Sequence, residues 1–191
     1  INQGGSQAGT IGTFVANDIS GDLGGSSEAV IGDIDGDGDG DIHVSNYNGE
    51  QNKLWINQGG SQAGTIGTFL ANDISGDTGN SYESIMGDVD NDGDLDMTVT
   101  SRNGSNKIYK NNKKILSSNG EPSALADSDI TYDVAWGDMD GDGDLDFAVG
   151  NYGAPNQLYQ NDGLKDGQLQ LTLLTLDEGD TSNTMSVAWG D

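Results

Sequence analysis

Windows of nine residues in which every other residue is aspartate recur along this chain at intervals of 55 and 50 residues. They read DIDGDGDGD, DVDNDGDLD and DMDGDGDLD, and they begin at Asp33, Asp88 and Asp138. A period of about 50 residues is typical of propeller blades and other tandem arrays. The spacing therefore predicts a chain built from copies of one small unit. The repeat also extends beyond the windows, because the sequence of residues 1–22 returns at residues 56–77 with one difference.

Each unit has the same internal order. A short apolar run ends in Gly-Asp (AVIGD, SIMGD and VAWGD), and the aspartate window follows it. An alternating segment comes next (IHVSN, MTVTS or FAVGN), and then a segment that ends in an aromatic residue (NKLW, NKIY or NQLY). A last strand candidate closes the unit, as at residues 12–18 or 168–176. Four short strands per unit predict an all-β fold of propeller blades, each a four-stranded antiparallel sheet.

The period divides the chain into parts of one propeller. We predict a partial blade at residues 1–22, blades at 23–77, 78–130 and 131–183, and the start of another blade at 184–191. About three and a half blades are expected, whereas propellers typically close with 4 to 8 blades. We therefore expect the chain to be a fragment of a larger ring, or to need partner chains that complete one.

Composition agrees with short strands and limits the possible partners. Glycine contributes 31 residues and proline only 2, as expected for a chain with many tight turns. The formal net charge is −25, and 15 of the 27 aspartates lie in the three windows. This acidity disfavours binding to nucleic acid through a basic patch. Cysteine is absent, which excludes disulfides, and no apolar run reaches the roughly 18 residues of a membrane-spanning helix.

The windows carry the chemistry of a hard cation site. Positions 1, 3, 5 and 9 are aspartate and position 6 is glycine in every copy. Alternate carboxylates on a tightly curled loop can converge on one point, and position 7 can offer its carbonyl oxygen. Crowded carboxylates repel one another unless a cation lies between them. An all-oxygen ligand set favours Ca²⁺ over Mg²⁺, which requires near-octahedral geometry and retains its waters.

Two other calcium motifs are excluded. An EF-hand begins in a similar way, but it requires a bidentate glutamate at position 12 and two flanking helices. Position 12 is Val44, Val99 and Val149 here, each within a strand-like alternation. Nonapeptide β-helix repeats have a far shorter period.

The three copies resemble FG-GAP or VCBS-type repeats, whose pattern is GDxDGDGDLDxxVxN followed by NxLYxN. The chain is similar to the calcium-binding blades of integrin α-subunit propellers and of bacterial secreted and surface proteins. The resemblance implies an integrin-like β-propeller in which the metal loop joins the first two strands of a blade. It also implies three Ca²⁺ sites, with carboxylate ligands at positions 1, 3, 5 and 9 and a carbonyl ligand at position 7. The carboxylate ligands carried over are Asp33, Asp35, Asp37, Asp41, Asp88, Asp90, Asp92, Asp96, Asp138, Asp140, Asp142 and Asp146, and the carbonyl ligands are those of Asp39, Asp94 and Asp144.

The first window departs from the pattern at position 8. Gly40 stands where the other windows have Leu95 and Leu145. Burial of a leucine side chain contributes roughly 1.5–3 kcal/mol. We therefore expect the first loop to be the most weakly packed of the three, and Gly40→Leu to raise the melting temperature.

The large aromatic residues and the histidine have a structural explanation. Aromatic side chains recur at two places in the unit, which predicts that they pack between blades. They are Trp55, Tyr109 and Tyr159 at one place, and Trp136 and Trp189 at the other. His43, the single histidine, is expected to be a strand residue and not a metal ligand, since one histidine cannot anchor a histidine-based site.

Three functions are compatible with the sequence. The resemblance implies an extracellular or cell-surface module for adhesion, with Ca²⁺ as a structural staple and a glycan or protein as its ligand. The alternative is the propeller part of a secreted polysaccharide lyase or hydrolase, and the third possibility is a structural spacer. Binding is favoured over catalysis because no catalytic constellation is distinguishable in a chain with one histidine and seven lysine and arginine residues.

Overall fold

The structure is a computed structural model, and it describes residues 25–58, 69–73, 80–111, 123–124, 129–176 and 181–190. The predicted partial blade at residues 1–22, its strand candidate at 12–18 and the fourth-window residue Asp191 lie outside these ranges. The regular elements of the described residues are all β-strands. None of the described segments forms a helix with the length and apolarity needed to cross a lipid bilayer.

The twelve strands form three four-stranded antiparallel sheets, each in simple meander order. The first sheet contains β1 (Gly25–Gly32), β2 (Asp41–Tyr47), β3 (Lys53–Asn57) and β4 (Phe69–Asp73). The second contains β5 (Ser81–Gly87), β6 (Asp96–Ser101), β7 (Lys107–Tyr109) and β8 (Ser123–Ala124). The third contains β9 (Ile130–Gly137), β10 (Asp146–Tyr152), β11 (Gln157–Lys165) and β12 (Gln168–Thr175). The prediction of all-β propeller blades is confirmed, whereas the boundaries of the predicted units remain predictions.

The hydrophobic cores lie between the sheets. Strand β5 packs against β1 and β2, and β9 packs against β5 and β6, so each sheet meets the next through its first strand. One core, between the first two sheets, contains Ile34, Leu54, Met97, Val99 and Tyr109. The other, between the second and third sheets, contains Val89, Ile108, Val134, Phe147, Val149 and Tyr159. The predicted packing of Tyr109 and Tyr159 between blades is thus confirmed, and Trp55 is also buried.

The glycine that precedes each aspartate window is covered by a large side chain from the unit that follows it. A Cβ added to Gly32 or Gly137 would lie 2.6 Å from that side chain, so a larger residue would require movement there, whereas at Gly87 the distance is 3.5 Å, an ordinary contact. The pairs are Gly32 with Met86, Gly87 with Trp136, and Gly137 with Trp189. Trp189 belongs to the segment 181–190, which runs beside the third sheet. Glycine at this position therefore allows close approach of consecutive units.

The leucine at position 8 also packs on the preceding sheet, which changes the expectation for Gly40. Leu95 Cδ1 lies 3.0 Å from a Cβ placed on Gly32, and Leu145 Cδ1 lies 3.2 Å from one placed on Gly87. A leucine at position 40 has no such preceding sheet among the described residues. Its nearest described neighbour is Ile31, a side chain that is 70% exposed. Gly40→Leu is therefore expected to add less stability than full leucine burial would.

Candidate metal centres

The first aspartate of each window organises the loop by accepting backbone N–H groups. Asp33 accepts the N–H of Asp37 on Oδ1 and the N–H of Gly38 on Oδ2, both at 2.9 Å. Asp88 accepts the equivalent pair at 3.0 and 2.9 Å, and Asp138 accepts it at 3.1 Å twice. The carboxylate thus takes the place of backbone partners that a tight loop cannot supply.

Glycine at position 6 has the conformational role that the sequence predicts. Gly38, Gly93 and Gly143 have φ values of 97°, 92° and 98°, in the left-handed region that L-residues with a Cβ rarely adopt. Position 4 is also left-handed, and there Asn91 takes φ 56° where the other loops have glycine. Asparagine tolerates this region better than most residues with a side chain.

The last aspartate of each window is completely buried and ties the loop to the third strand. Each of these side chains is 0% exposed, and each accepts two backbone N–H groups. The donors are Ile34 and Asn57 for Asp41 (2.9 and 2.8 Å), Val89 and Asn111 for Asp96 (2.9 and 2.7 Å), and Met139 and Asn161 for Asp146 (2.6 and 2.8 Å). This structural role was not predicted from the sequence. The asparagine at the end of the NxLYxN pattern was its signal, because it recurs at nearly constant distance from position 9.

The windows lie between the first and second strands, and they bring carboxylate oxygens together in three groups. Within each group, one oxygen per residue lies within 4.8 Å of the others. The groups are Asp33 with Asp35 and Asp37, Asp88 with Asp90 and Asp96, and Asp138 with Asp140 and Asp146. Positions 1 and 3 are therefore shared by all three groups, joined by position 5 in the first loop and by position 9 in the other two.

The remaining predicted ligands lie beside these groups. Asp41 has the two N–H contacts given above, and the position 5 residues Asp92 and Asp142 accept the N–H groups of Asp94 and Asp144 at 3.0 and 2.9 Å. At position 7, where only a carbonyl ligand is predicted, Asp39 also buries its carboxylate. Both oxygens of that carboxylate lack a hydrogen-bond partner. The equivalent residues Asp94 and Asp144 are also half-buried, but neither has a buried carboxylate oxygen that lacks a partner.

Several buried carboxylate oxygens are left without any partner. Besides those of Asp39, they are Asp37 Oδ2 and Asp90 Oδ1. An unpartnered buried acceptor costs about 1–3 kcal/mol, and more when it is charged. A bound cation would supply the missing partner, and a donor set made only of oxygen suits a hard ion such as Ca²⁺. The residues present therefore fit a calcium ion.

The pKa values of the loop aspartates also favour a bound cation. Burial raises the pKa of Asp35 and Asp39, and the charges of neighbouring aspartates raise it further. Burial also raises the pKa of Asp96 to about 6, although two backbone N–H groups lower it. Proton binding is favoured here mainly because it neutralises a buried charge, and also because it relieves repulsion between carboxylates. A divalent cation would relieve the same repulsion more completely.

The family model for the FG-GAP-like repeat matches the chain twice, at residues 33–99 and 88–149. These matches together cover more than half of the sequence. The chain belongs to the FG-GAP-like repeat family. A search of curated proteins finds no match. FG-GAP repeats are typical of extracellular proteins and are generally not catalytic.

Neighbouring loops of this FG-GAP repeat array are joined through single asparagine residues. The Asn111 side chain donates to the carbonyl of Ile34 in the first loop at 2.6 Å, while its N–H binds Asp96 in the second. Asn161 links the second and third loops in the same way, with 2.9 Å between its Nδ2 and the Val89 carbonyl oxygen. The three loops are therefore parts of one hydrogen-bonded series.

His43 belongs to none of the three carboxylate groups of the FG-GAP repeats. It is completely buried in β2, and its Nδ1 lies 2.8 Å from Ser84 Oγ in the second sheet. Burial lowers the pKa of His43 to about 4, so the imidazole is neutral at physiological pH. These contacts agree with the prediction that His43 is a strand residue.

Proposed function

We propose that this chain is an extracellular FG-GAP propeller module that binds three Ca²⁺ ions, one in each aspartate loop, as structural staples. The observation that carries the proposal is the set of buried carboxylate oxygens without partners in the first and second loops, and the third loop brings three carboxylates together in the same way. Bound Ca²⁺ would supply the positive charge that these oxygens lack.

The protein contributes the shape of each site. Aspartate at position 1 holds the loop closed, glycine at position 6 permits the left-handed turn, and aspartate at position 9 anchors the loop to the third strand. These groups are held by backbone hydrogen bonds, so their arrangement does not depend on long flexible side chains. Ions at such positions would stabilise the arrangement of the first three strands of a blade. The hydrogen bonds of Asn111 and Asn161 would extend this stabilisation to the neighbouring blade.

Calcium titration by calorimetry tests this proposal. We expect a stoichiometry of about three for the full chain, and the loss of one site in each of the variants Asp35→Asn, Asp90→Asn and Asp140→Asn. Asp166→Asn is the matched control, because Asp166 is exposed and lies in a turn outside the windows. Absence of heat and of any bound Ca²⁺ in the wild type would contradict the proposal.

A role in binding a ligand is favoured by an aromatic cluster at the strand ends opposite to the metal loops. The Tyr82 and Tyr132 rings stack at 4.5 Å, and Tyr152 follows at 5.4 Å from Tyr132. The guanidinium of Arg102 lies 5.8 Å from the Tyr82 ring centre. Tyr152 is 43% exposed, so part of the cluster faces solvent. We propose that this tyrosine cluster binds a glycan, with aromatic faces for sugar rings and Arg102 for an acidic group.

Glycan binding by the wild type should be weakened by Tyr152→Ala and by Arg102→Ala. Leu173→Ala is the control, because Leu173 is similarly exposed on the outer strand β12. Equal binding by all four proteins would contradict a ligand site at the tyrosine cluster, and binding by none of them would favour a spacer. The described residues provide no observation that favours the alternative lyase or hydrolase function. Absence of catalysis, and completion of a ring by further blades or partner chains, remain predictions.

A further inference from the structure

One position at the third strand or directly after it differs among the blades, and in two of them its side chain contacts the metal loop. It immediately precedes the asparagine that binds the position 9 aspartate, and it is occupied by Ile56, Lys110 and Gln160. In the second blade, Lys110 Nζ lies 2.7 Å from Asp90 Oδ2. In the third, Gln160 Nε2 donates to Asp140 Oδ2, also at 2.7 Å. The isoleucine of the first blade has no polar side-chain atom to offer.

The contact in the second blade is an ion pair with little access to solvent. The Lys110 side chain is 19% exposed and the Asp90 side chain is 3% exposed. Screening by water and salt is weak at such a place, so the pair is unlike the exposed ion pairs that contribute little. The other oxygen of Asp90, Oδ1, is buried without a partner and belongs to a carboxylate that lies beside those of Asp88 and Asp96.

We propose that Lys110 is a built-in counter-ion of the second loop, which makes this loop the weakest of the three Ca²⁺ sites and the one least dependent on Ca²⁺ for its structure. The inference rests on the proposed calcium-binding function. A fixed ammonium group repels an approaching divalent cation and occupies an oxygen that the ion would otherwise use. Ca²⁺ must either displace this group or bind beside it.

The first and third loops lack the positive charge that Lys110 brings to the second loop. The first loop has no cation at this position, and it buries an additional carboxylate without a partner, that of Asp39. The third loop has a neutral amide on Asp140, which removes no negative charge. The affinity for Ca²⁺ should therefore be highest in the first loop and lowest in the second. Gly40 has no side chain that could contact the carboxylates, so it does not alter this order.

Variants that exchange the residues at positions 110 and 160 test this order of Ca²⁺ affinities. Calorimetric titration of the wild type should show two tighter Ca²⁺ steps and one that is at least tenfold weaker, and Asp90→Asn should remove the weaker step. Lys110→Gln copies the third blade into the second and should strengthen the weak step at least tenfold. The reciprocal variant Gln160→Lys should weaken one of the tighter steps by a similar factor. Lys165→Gln is the control, because it removes the same charge from an exposed position.

Thermal unfolding in chelator provides a second measurement, since Lys110→Gln should lower the melting temperature of the calcium-free protein and Lys165→Gln should not. Three Ca²⁺ steps that are the same in wild type, Lys110→Gln and Gln160→Lys would overturn the inference and leave the proposed function intact. A wild type that binds no Ca²⁺ would overturn both. If Lys110→Gln does not fold, unchanged binding by Gln160→Lys still overturns the inference.

Discussion

At the scale of single residues, the first strands of the second and third sheets carry an acidic pair that the metal loops do not explain. Glu83 in β5 and Asp133 in β9 are hydrogen-bonded through their side chains. Each also accepts an N–H from the following unit, at 3.3 Å from Val134 and 2.7 Å from Val187. Burial, this hydrogen bond and the charges of Glu28 and Asp133 raise the pKa of Glu83 to about 9. Burial alone would raise the pKa of Asp133, but the hydrogen bonds that it receives lower it.

The Glu83 carboxyl should make the stability of the protein depend on pH. Its folded pKa is about 9 against an ordinary value of 4.5, so its contribution is complete below about pH 4.5 and is lost as pH rises to about 9. The melting temperature of the wild type at saturating Ca²⁺ should fall between pH 6 and pH 9. Glu83→Gln, which mimics the protonated form, should flatten this dependence.

Glu50→Gln is the control for this experiment, because Glu50 is exposed in the loop after β2. If the melting temperatures of the wild type, Glu83→Gln and Glu50→Gln change by the same amount between pH 6 and pH 9, Glu83 does not retain its proton.

The aspartate loops could be predicted from the sequence, but these individual contacts could not. The convergence of Asp33, Asp35 and Asp37 follows from local spacing, which the sequence displays directly. The pairing of Glu83 with Asp133 does not, because it depends on how two consecutive sheets are placed against each other. The contact between Lys110 and Asp90 was also missed, since alignment of the blades shows the substitution but not the direction of the side chain.

At the scale of strands and loops, the asparagine two residues after Tyr109 and after Tyr159 connects consecutive blades. Asn111→Ala would leave the buried Ile34 carbonyl without its 2.6 Å donor. Loss of one partner from a buried hydrogen bond costs about 1–3 kcal/mol. For a chain of this size, the melting temperature should fall by about 2–4 °C per kcal/mol.

Asn103→Ala serves as the control for Asn111→Ala, since Asn103 is exposed in the turn between β6 and β7. If both variants melt together with the wild type, the link between the first and second loops does not contribute to stability.

The segment 181–190 should depend on the glycine at the end of β9. A Cβ on Gly137 would lie 2.6 Å from Trp189 Cγ, and ring atoms cannot move away without shifting the segment. Overpacking of this kind costs roughly 1–3 kcal/mol. Gly137→Ala should therefore speed hydrogen exchange at the Thr184 and Val187 amides, which donate to Asn151 and Asp133.

The control for this variant is Gly104→Ala, because a Cβ at Gly104 makes only ordinary contact, 3.4 Å from Ser101 Oγ. Unchanged exchange in Gly137→Ala would mean that Trp189 does not need the space that this glycine leaves.

The strand order was predictable because each strand has a local signal. The alternating segments became β2, β6 and β10, and the strand candidate at residues 168–176 became β12 (Gln168–Thr175). Packing between sheets was predictable only in part. The repeated aromatics indicated an interface between sheets. The position of Leu95 over Gly32 depends on the angle between two sheets, which the sequence does not show. That position changed the expectation for Gly40.

At the scale of the whole molecule, the formal charge of −25 opposes a compact state, and 15 carboxylates are concentrated in three loops. Three Ca²⁺ ions add six positive charges, which changes the formal charge to −19. Ligands that bind only the folded state stabilise it by mass action, by about 2.7 kcal/mol for each site at a free concentration of 100 Kd. Calcium should thus contribute several kcal/mol to folding if all three loops bind it.

Thermal unfolding of the full chain in millimolar Ca²⁺ and in excess chelator is the most direct test that the loops are calcium-dependent staples. We predict a higher melting temperature in Ca²⁺, a smaller increase in Mg²⁺, and almost no increase for the triple variant with Asp35→Asn, Asp90→Asn and Asp140→Asn. Identical melting temperatures of the wild type in Ca²⁺ and in chelator would contradict the account.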